Sequence, residues 1–401
     1  MQTLLTLVGV VLAGIALVVL VPATVLLIQM LAAWPMRARG QSGAATTRPR
    51  LAVLMPAHNE ASGICAAIEA VKTQLAPADR LLVVADNCTD TTSSVAAAAG
   101  VEVVERTDPL RRGKGYALDF GVRRLEADPP EVVVIVDSDC HVHPGALDAL
   151  ARASFAFQRP AQALYLMRSP PGAALKTRIA EFAWAVKNHG RALGNQRLGL
   201  PCQLMGSGMA FTWPQIRQAP LASGHIVEDL QLGLDLAAAG HAPLFCPEAL
   251  VTSVFPTSEE GLAAQRTRWE HGYLDVMFNQ GPGLLWQALK SRRIGALFMA
   301  LDLCVPPIAL LGLVLVGMCG VSAAFFALSQ RATPLLLALL ALAMTSLALA
   351  LGWSRFGRSI VSARELMGVP TYMLGKIPMY LRALRRRQVE WVRTRRDDGT
   401  H

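Results

Sequence analysis

Three apolar runs, each longer than a globular core usually requires, set the first limit on this chain. Residues 3–34 and 334–353 contain no charged side chain, and residues 296–328 contain only Asp302. Each run reaches the ~20 residues an α-helix needs to cross roughly 30 Å of hydrocarbon. They account for the excess in a composition that is 53% hydrophobic. The chain divides accordingly into an N-terminal transmembrane anchor (1–35), a linker (36–50), a central domain (51–283) and a membrane region (284–401). That last region is expected to hold two more transmembrane helices, about 296–328 and 334–353, and a basic interfacial tail.

Basic residues fall on one side of each run. Arg37, Arg39, Arg48 and Arg50 follow the first; Lys290, Arg292 and Arg293 precede the second; Arg355, Arg358 and Arg364 follow the third. The loop between the last two carries only Arg331. The positive-inside rule then places residues 36–295 and the C-terminus in the cytoplasm, in an integral, multi-pass protein of the cell membrane. The first run has no basic n-region and far exceeds a usual signal-peptide h-region, so it is read as a retained anchor.

The net charge of +9 does not indicate nucleic acid, because much of it sits in the tail. There Lys376, Arg382, Arg385, Arg386, Arg387, Arg393, Arg395 and Arg396 alternate with Tyr372, Tyr380 and Trp391. That mixture predicts a helix facing lipid headgroups, with a solvated basic tail as the plain alternative. The seven cysteines form no Cys-x-x-Cys pair and are read as reduced thiols, neither a disulfide frame nor a zinc site.

Between the apolar ends a strand–helix alternation begins. Strands are expected at 51–55, 80–85, 101–104 and 132–136, and helices at about 60–74, 89–100 and 115–126. The last strand is an unbroken Val/Ile run, the mark of a strand covered on both faces. This βαβ rhythm predicts an α/β domain with a Rossmann-like, mainly parallel sheet. Further helices are expected at 145–157, 175–196, 226–239 and 259–280, with short strands near Leu164, Phe211 and Leu244.

Polar clusters follow the strands, where open α/β sheets bind ligands. Pro56-Ala57-His58-Asn59-Glu60 follows the first, although an ordinary strand-to-helix turn explains it equally well. Asp86, at the second strand end, is placed to accept hydrogen bonds from a base or ribose; the nearby Thr89 is also a plain helix cap. Arg111-Arg112-Gly113-Lys114-Gly115 lacks Walker spacing, but its glycines and helix start suit a phosphate or nucleotide contact by Lys114. Asp137-Ser138-Asp139 ends the most buried strand, and two carboxylates so close ionise together cheaply only beside a cation. A hard ion, Mg²⁺ or Mn²⁺, bridging a diphosphate suits them; His141 and His143 are more simply surface residues than ligands. Glu228-Asp229 opens a helix, where acids also serve the helix dipole. The functional reading makes one of the two the base for an acceptor hydroxyl, with Asp229 favoured over Glu228. Gln265, Arg268 and Trp269 share one helix face, where an arginine can pair with a diphosphate and an indole can stack on a sugar.

Together these residues resemble the family 2 glycosyltransferases of the GT-A fold, in particular the membrane-bound branch. That branch includes cellulose, hyaluronan and poly-N-acetylglucosamine synthases and ceramide glucosyltransferase. Its pattern of Asp, Asp-x-Asp, Glu/Thr-Asp and Gln-x-x-Arg-Trp is matched by Asp86, Asp137 with Asp139, Glu228-Asp229, and Gln265, Arg268 and Trp269. The resemblance implies that Pro56, Glu60 and Asp86 meet the nucleoside and that Asp137 and Asp139 hold the diphosphate through the metal. It also implies that Asp229 is the base, that Gly206-Ser207-Gly208 lines the acceptor site, and that Arg268 binds the diphosphate with Trp269 beside the acceptor. The implied donor is a UDP-sugar, and the implied reaction inverts the anomeric carbon.

One departure concerns membrane spans. Polymer-secreting relatives generally have more than the three counted here, which favours single transfer to a lipid-anchored or glycan acceptor over extrusion of a polymer. Segments near 284–295 and 358–385 are read as interfacial and suited to a lipid entry path; Pro306-Pro307 is expected to kink the second span. Asp302 is read as a snorkelling residue or a functional group. A processive synthase, and a scaffold or nucleotide sensor without activity, stand as alternatives.

Overall fold

The computed structural model describes residues 1–34 and 47–385. Most of the expected linker, and the tail from Arg386 including Trp391, lie outside the described residues.

Eight strands form one sheet: β1 Leu51–Ala57, β2 Arg80–Asp86, β3 Glu102–Arg106, β4 Val132–Ile135, β5 His141–Val142, β6 Ala161–Arg168, β7 Met209–Thr212 and β8 Leu244–Val254, in the order β3-β2-β1-β4-β7-β6-β8-β5. The first half, β3-β2-β1-β4, is wholly parallel, as its βαβ rhythm predicts. The second half is mixed: β7 runs antiparallel to both neighbours and β5 antiparallel to β8, while β6 and β8 are parallel. The chain leaves β1 toward β2 and β3, then returns to place β4 on the other side of β1. That reversal opens a crevice beyond the carboxyl ends of β1, β2 and β4.

Alternate residues of β1 serve opposite layers, because successive strand side chains point to opposite faces. Leu51, Val53 and Met55 pack with Ile64 and Ile68 of helix Ile64–Lys72 and with Leu147 and Leu150 of helix Ala146–Phe157. Ala52 and Leu54 pack with Leu118 and Val122 of helix Lys114–Leu125 and with Leu232 and Leu236 of helix Glu228–Ala239. Burial on both faces fixes the strand ends that carry the polar clusters.

Among the described residues, three helices are long and apolar enough to cross a membrane: Gln2–Ala33, Ile308–Ser329 and Thr333–Gly357, with mean hydropathies of 3.0, 2.4 and 2.4. Ala23, Leu26 and Met30 of the first pack with Leu311, Leu315, Ala341 and Ala348 of the other two, and with Phe182 and Val186 of the α/β domain.

Two expected continuous helices are broken. The run 296–328 is not one kinked span: helix Ile294–Leu303 ends before Pro306-Pro307 and a new helix starts at Ile308. Proline lacks an N–H and disfavours a helical residue before it, so two in succession end the first helix. The carbonyls of Leu303 and Val305 share the single proton of the Tyr273 hydroxyl, at 3.1 and 2.9 Å. Nor does Asp302 snorkel. It is buried and accepts from Arg191 Nη2 at 2.9 Å and Gln29 Nε2 at 2.6 Å. The expected helix 175–196 is likewise split, into Leu175–Ala185, a π-helical turn Val186–Arg191, and Ala192–Arg197. The π turn brings Arg191 to Asp302. After the last long helix, short helices Val369–Gly375 and Ile377–Arg385 follow. They strap onto helix Glu259–Asn279, where Glu270 pairs with Lys376 and accepts from Tyr380 Oη at 2.6 Å.

Candidate active site

The strand ends and helix starts enclose a cleft of about 640 Å³. Pro56 and Glu60 line it from the end of β1, Asp86 from β2, and Asp137 and Asp139 from the turn after β4. Lys114, Glu228 and Asp229 reach it from the first turns of their helices, and Gln265, Arg268 and Trp269 from one face of helix Glu259–Asn279. These residues therefore meet in one place, and Asp139 and Asp229 share that cleft.

Asp86 is buried and held by Arg106 Nη1 at 2.6 Å and Asn87 Nδ2 at 3.0 Å, both on Oδ1. Arg106 carries no sequence signal of its own; register pairing of β2 with β3 places it opposite Asp86. His58 Nδ1 lies 2.7 Å from the Asp86 carbonyl, which only accepts, so Nδ1 carries the hydrogen.

Lys114 enters a cluster of acids. Its ammonium lies 2.5 Å from Asp137 Oδ1 and 3.8 Å from Glu228 Oε1, and donates to Gly206 O at 2.7 Å. Burial alone would lower its pKa, but the Asp137 and Glu228 carboxylates hold it above the ordinary lysine value. Burial likewise pushes the Asp137 carboxyl up; Lys114 opposes that, and Asp139 and Asp229 add to it. Glu228 is pushed up to about 7, chiefly by burial, against the pull of Lys114.

Gly206 is the point where these groups converge. A Cβ there would lie 3.3 Å from Asp229 Oδ2, 3.8 Å from Lys114 Nζ and 3.9 Å from Asp137 Oδ2. Gly206 has φ +93°, a conformation side chains rarely adopt, so the backbone leaves this space open. The expectation for its neighbours needs correction. Ser207 is fully buried, its Oγ accepting from the Asp137 N–H at 3.1 Å. Gly208 packs where a Cβ would come within 2.5 Å of Ala163. Both belong to the wall behind the cleft, because β7 begins there: Ser207 supports Asp137, and the Gly208 N–H donates to the Ile135 carbonyl at 2.9 Å.

Ligand atoms of Asp137, Asp139 and Cys140 lie within 4.8 Å of one another. Asp139 Oδ2 is also held by Ser253 Oγ at 3.1 Å. Burial keeps the Cys140 thiol far above its ordinary pKa, so the two carboxylates are the groups that suit a hard cation. His141 and His143 pack edge to face at 4.9 Å, and His143 Nε2 meets Thr252 Oγ1 at 3.1 Å; neither lines the cleft.

Several lining residues escaped sequence reading: Tyr165, Trp184, Lys187, Asn188 and Tyr273. Trp184 packs on Trp269 with ring centroids 4.8 Å apart. Among the described residues, Asn188 Oδ1 and Gln265 Oε1 are buried acceptors without a donor. The π turn presents Lys187 and Asn188, and a uniform helical period does not predict it.

Residues 49–272, more than half of the chain, match the model of a family described as glycosyltransferase-like family 2. The chain belongs to that family. Its domain is accordingly of the GT-A type, an α/β sheet with parallel strands flanked by long apolar helices. A curated relative is the low-salt glycan biosynthesis hexosyltransferase Agl6 of Haloferax volcanii, 38% identical over 94 residues, or 23% of this chain and 21% of the relative. The chain thus matches about a fifth of that relative's length. Among solved structures, the mannosyltransferase PcManGT of Pyrobaculum calidifontis, in complex with GDP-Man and Mn²⁺, is 19% identical, covering 86% of this chain and 99% of that one, with a TM-score of 0.46. Glucosyl-3-phosphoglycerate synthase of Mycobacterium tuberculosis, with Mn²⁺, UDP and phosphoglyceric acid, is 23% identical, covering 60% and 83%, with a TM-score of 0.39.

Proposed function

We propose that this chain is an inverting, metal-dependent glycosyltransferase that moves a sugar from a nucleotide-diphosphate donor, a UDP-sugar, to a lipid or glycan acceptor at the membrane. The observation that carries this reading is the convergence of Asp229, Asp137 and Lys114 on the open face of Gly206. A displacement at the anomeric carbon needs a base on one side and charge stabilisation of the leaving diphosphate on the other.

In this reading Asp229 takes the proton of the acceptor hydroxyl. Glu228 stands beside it and steadies Lys114. Arg268 pairs with the diphosphate, and Pro56, Glu60 and Asp86 bound the nucleoside. Trp269, braced by Trp184, sits beside the acceptor. The donorless acceptors Asn188 Oδ1 and Gln265 Oε1 suit the hydroxyls of a sugar, since buried polar atoms otherwise find partners.

Asp137 and Asp139 would hold Mg²⁺ or Mn²⁺. Their crowding supports the fit: burial and mutual repulsion raise Asp137 even with Lys114 beside it. When bound, such an ion supplies electrostatic stabilisation of the leaving diphosphate. The three long apolar helices and the basic residues Lys290, Arg292, Arg293, Arg355, Arg358 and Arg364 support a multi-pass protein with this cleft on the cytoplasmic face.

The test is a screen of purified protein against several nucleotide-sugars, reading released nucleoside diphosphate and the mass of the product. Turnover with a UDP-sugar and a single mass increment is expected. A ladder of increments would turn the reading to a processive synthase, and no turnover with any nucleotide-sugar would overturn it.

A further inference from the structure

A second cavity, of about 200 Å³, opens beside the catalytic cleft. The two share Trp184, Lys187, Trp269 and Tyr273 as lining residues. Its walls are otherwise largely apolar, formed by Phe182, by Pro306 and Ile308 at the helix break, and by Val369 and Met373 of the strapping helix. It therefore joins the cleft to the surfaces of the membrane-spanning helices.

At the junction stands a cation with no anion of its own. Among the described residues, Lys187 has no hydrogen bond or ion pair; its ammonium lies 5.0 Å from the centre of the Tyr273 ring. Of the nearby carboxylates, Asp302 is engaged by Arg191 and Glu270 by Lys376 and Tyr380, while Asp229 acts on Lys187 from within the catalytic cleft. Burial, reinforced by Arg191, depresses the Lys187 pKa. Arg266, in the same cavity, has a buried Nε–H that meets no acceptor among the described residues. A desolvated cation is costly until an anion meets it.

The catalytic end asks for a neutral nucleophile. A phosphate oxygen delivered there would meet the Asp229 carboxylate, whereas a hydroxyl can give its proton to it. An acceptor matching the two cavities therefore presents, in order, a hydroxyl, an anion and a hydrocarbon chain. Resting on the glycosyltransferase reading above, we propose that the acceptor is a glycerophospholipid with a hydroxylated headgroup, its phosphodiester held by Lys187 and its chain in the apolar cavity. The headgroup oxygen bonds to the anomeric carbon as the bond from that carbon to the diphosphate oxygen breaks. The proton goes to Asp229, and the electron pair leaves with the nucleoside diphosphate.

The test uses the full chain in nonionic micelles with dioctanoyl phosphatidylglycerol and uncharged dioctanoylglycerol as probes, binding being read by calorimetric titration. Wild type is expected to bind the phospholipid at least tenfold more tightly than the uncharged lipid. Lys187→Met should erase that preference while still binding dioctanoylglycerol, which reports an intact cavity; Lys187→Arg should keep the preference. With a UDP-sugar, phosphatidylglycerol should gain one sugar by mass, and dioctanoyl phosphatidic acid, which has no headgroup hydroxyl, should gain none. Equal binding of both probes by wild type, an undiminished preference in Lys187→Met, or loss of preference in Lys187→Arg would overturn the proposal. So would loss of donor binding in Lys187→Met with its lipid preference intact, since Lys187 would then serve the diphosphate. Wild type that binds the phospholipid selectively but releases no nucleoside diphosphate from any donor would instead sink the glycosyltransferase reading.

Discussion

The two halves of the domain are built on different terms. On the β3-β2-β1-β4 side, β1, β2 and β3 are each followed by a helix, and the polar residues lie within a few positions of the strand ends. On the side facing the membrane helices, the site is shaped by a π turn, a proline break and a strap from the chain's last described helices. The first half holds the carboxylates assigned to the donor, and the second holds Lys187, Asn188, Trp184 and Tyr273. Where local periodicity and local chemistry coincide, a site is legible in the sequence; where contacts between distant segments shape it, the residues stay hidden.

The sharpest way to break this division is at its donor side. Asp139→Ala should remove metal-dependent turnover, a loss of at least the several kcal/mol such an ion contributes to charge stabilisation. Added Mn²⁺ should not restore it, while the lipid preference assigned to Lys187 persists. If both are lost together, the two halves are not separable. Next in size is the pair joining the second half to helix Ile294–Leu303. Removing one partner of a buried ion pair costs ~3–5 kcal/mol. Asp302→Ala should therefore lower the thermal midpoint of the solubilised protein far more than replacing Arg191 and Asp302 together by leucine. A single variant as stable as wild type would mean the pair holds nothing together.

The smallest effect concerns Glu228, raised in the folded state from 4.5 to about 7. Between those values the folded protein binds more protons than the unfolded chain, so stability should fall as pH rises through this window. Glu228→Gln removes the titrating group and should flatten that slope in unfolding titrations between pH 4.5 and 7. An unchanged slope would assign the pH dependence to another group.

Particular residues show why the sequence was readable only in part. Val132–Ile135 was evident as a doubly covered strand, and with it the position of Asp137. The polar neighbours of Asp302 were not, because Gln29, Arg191 and Asn195 come from two other segments of the chain. The acceptor-site role of Ser207 is implied by the family resemblance alone; its place in the wall depends on the pairing of β7 with β4 and β6. Lys187 gave no signal at all, since a helix uniform over 175–196 would not single it out.

The most direct measurement compares wild type with Asp229→Asn in two assays, donor binding and sugar transfer. A lone base across from a cation-anchored donor predicts that the variant binds the nucleotide-sugar as wild type does and transfers it ~10²–10⁴-fold more slowly. Transfer at the wild-type rate would contradict that arrangement and remove Asp229 from the chemistry.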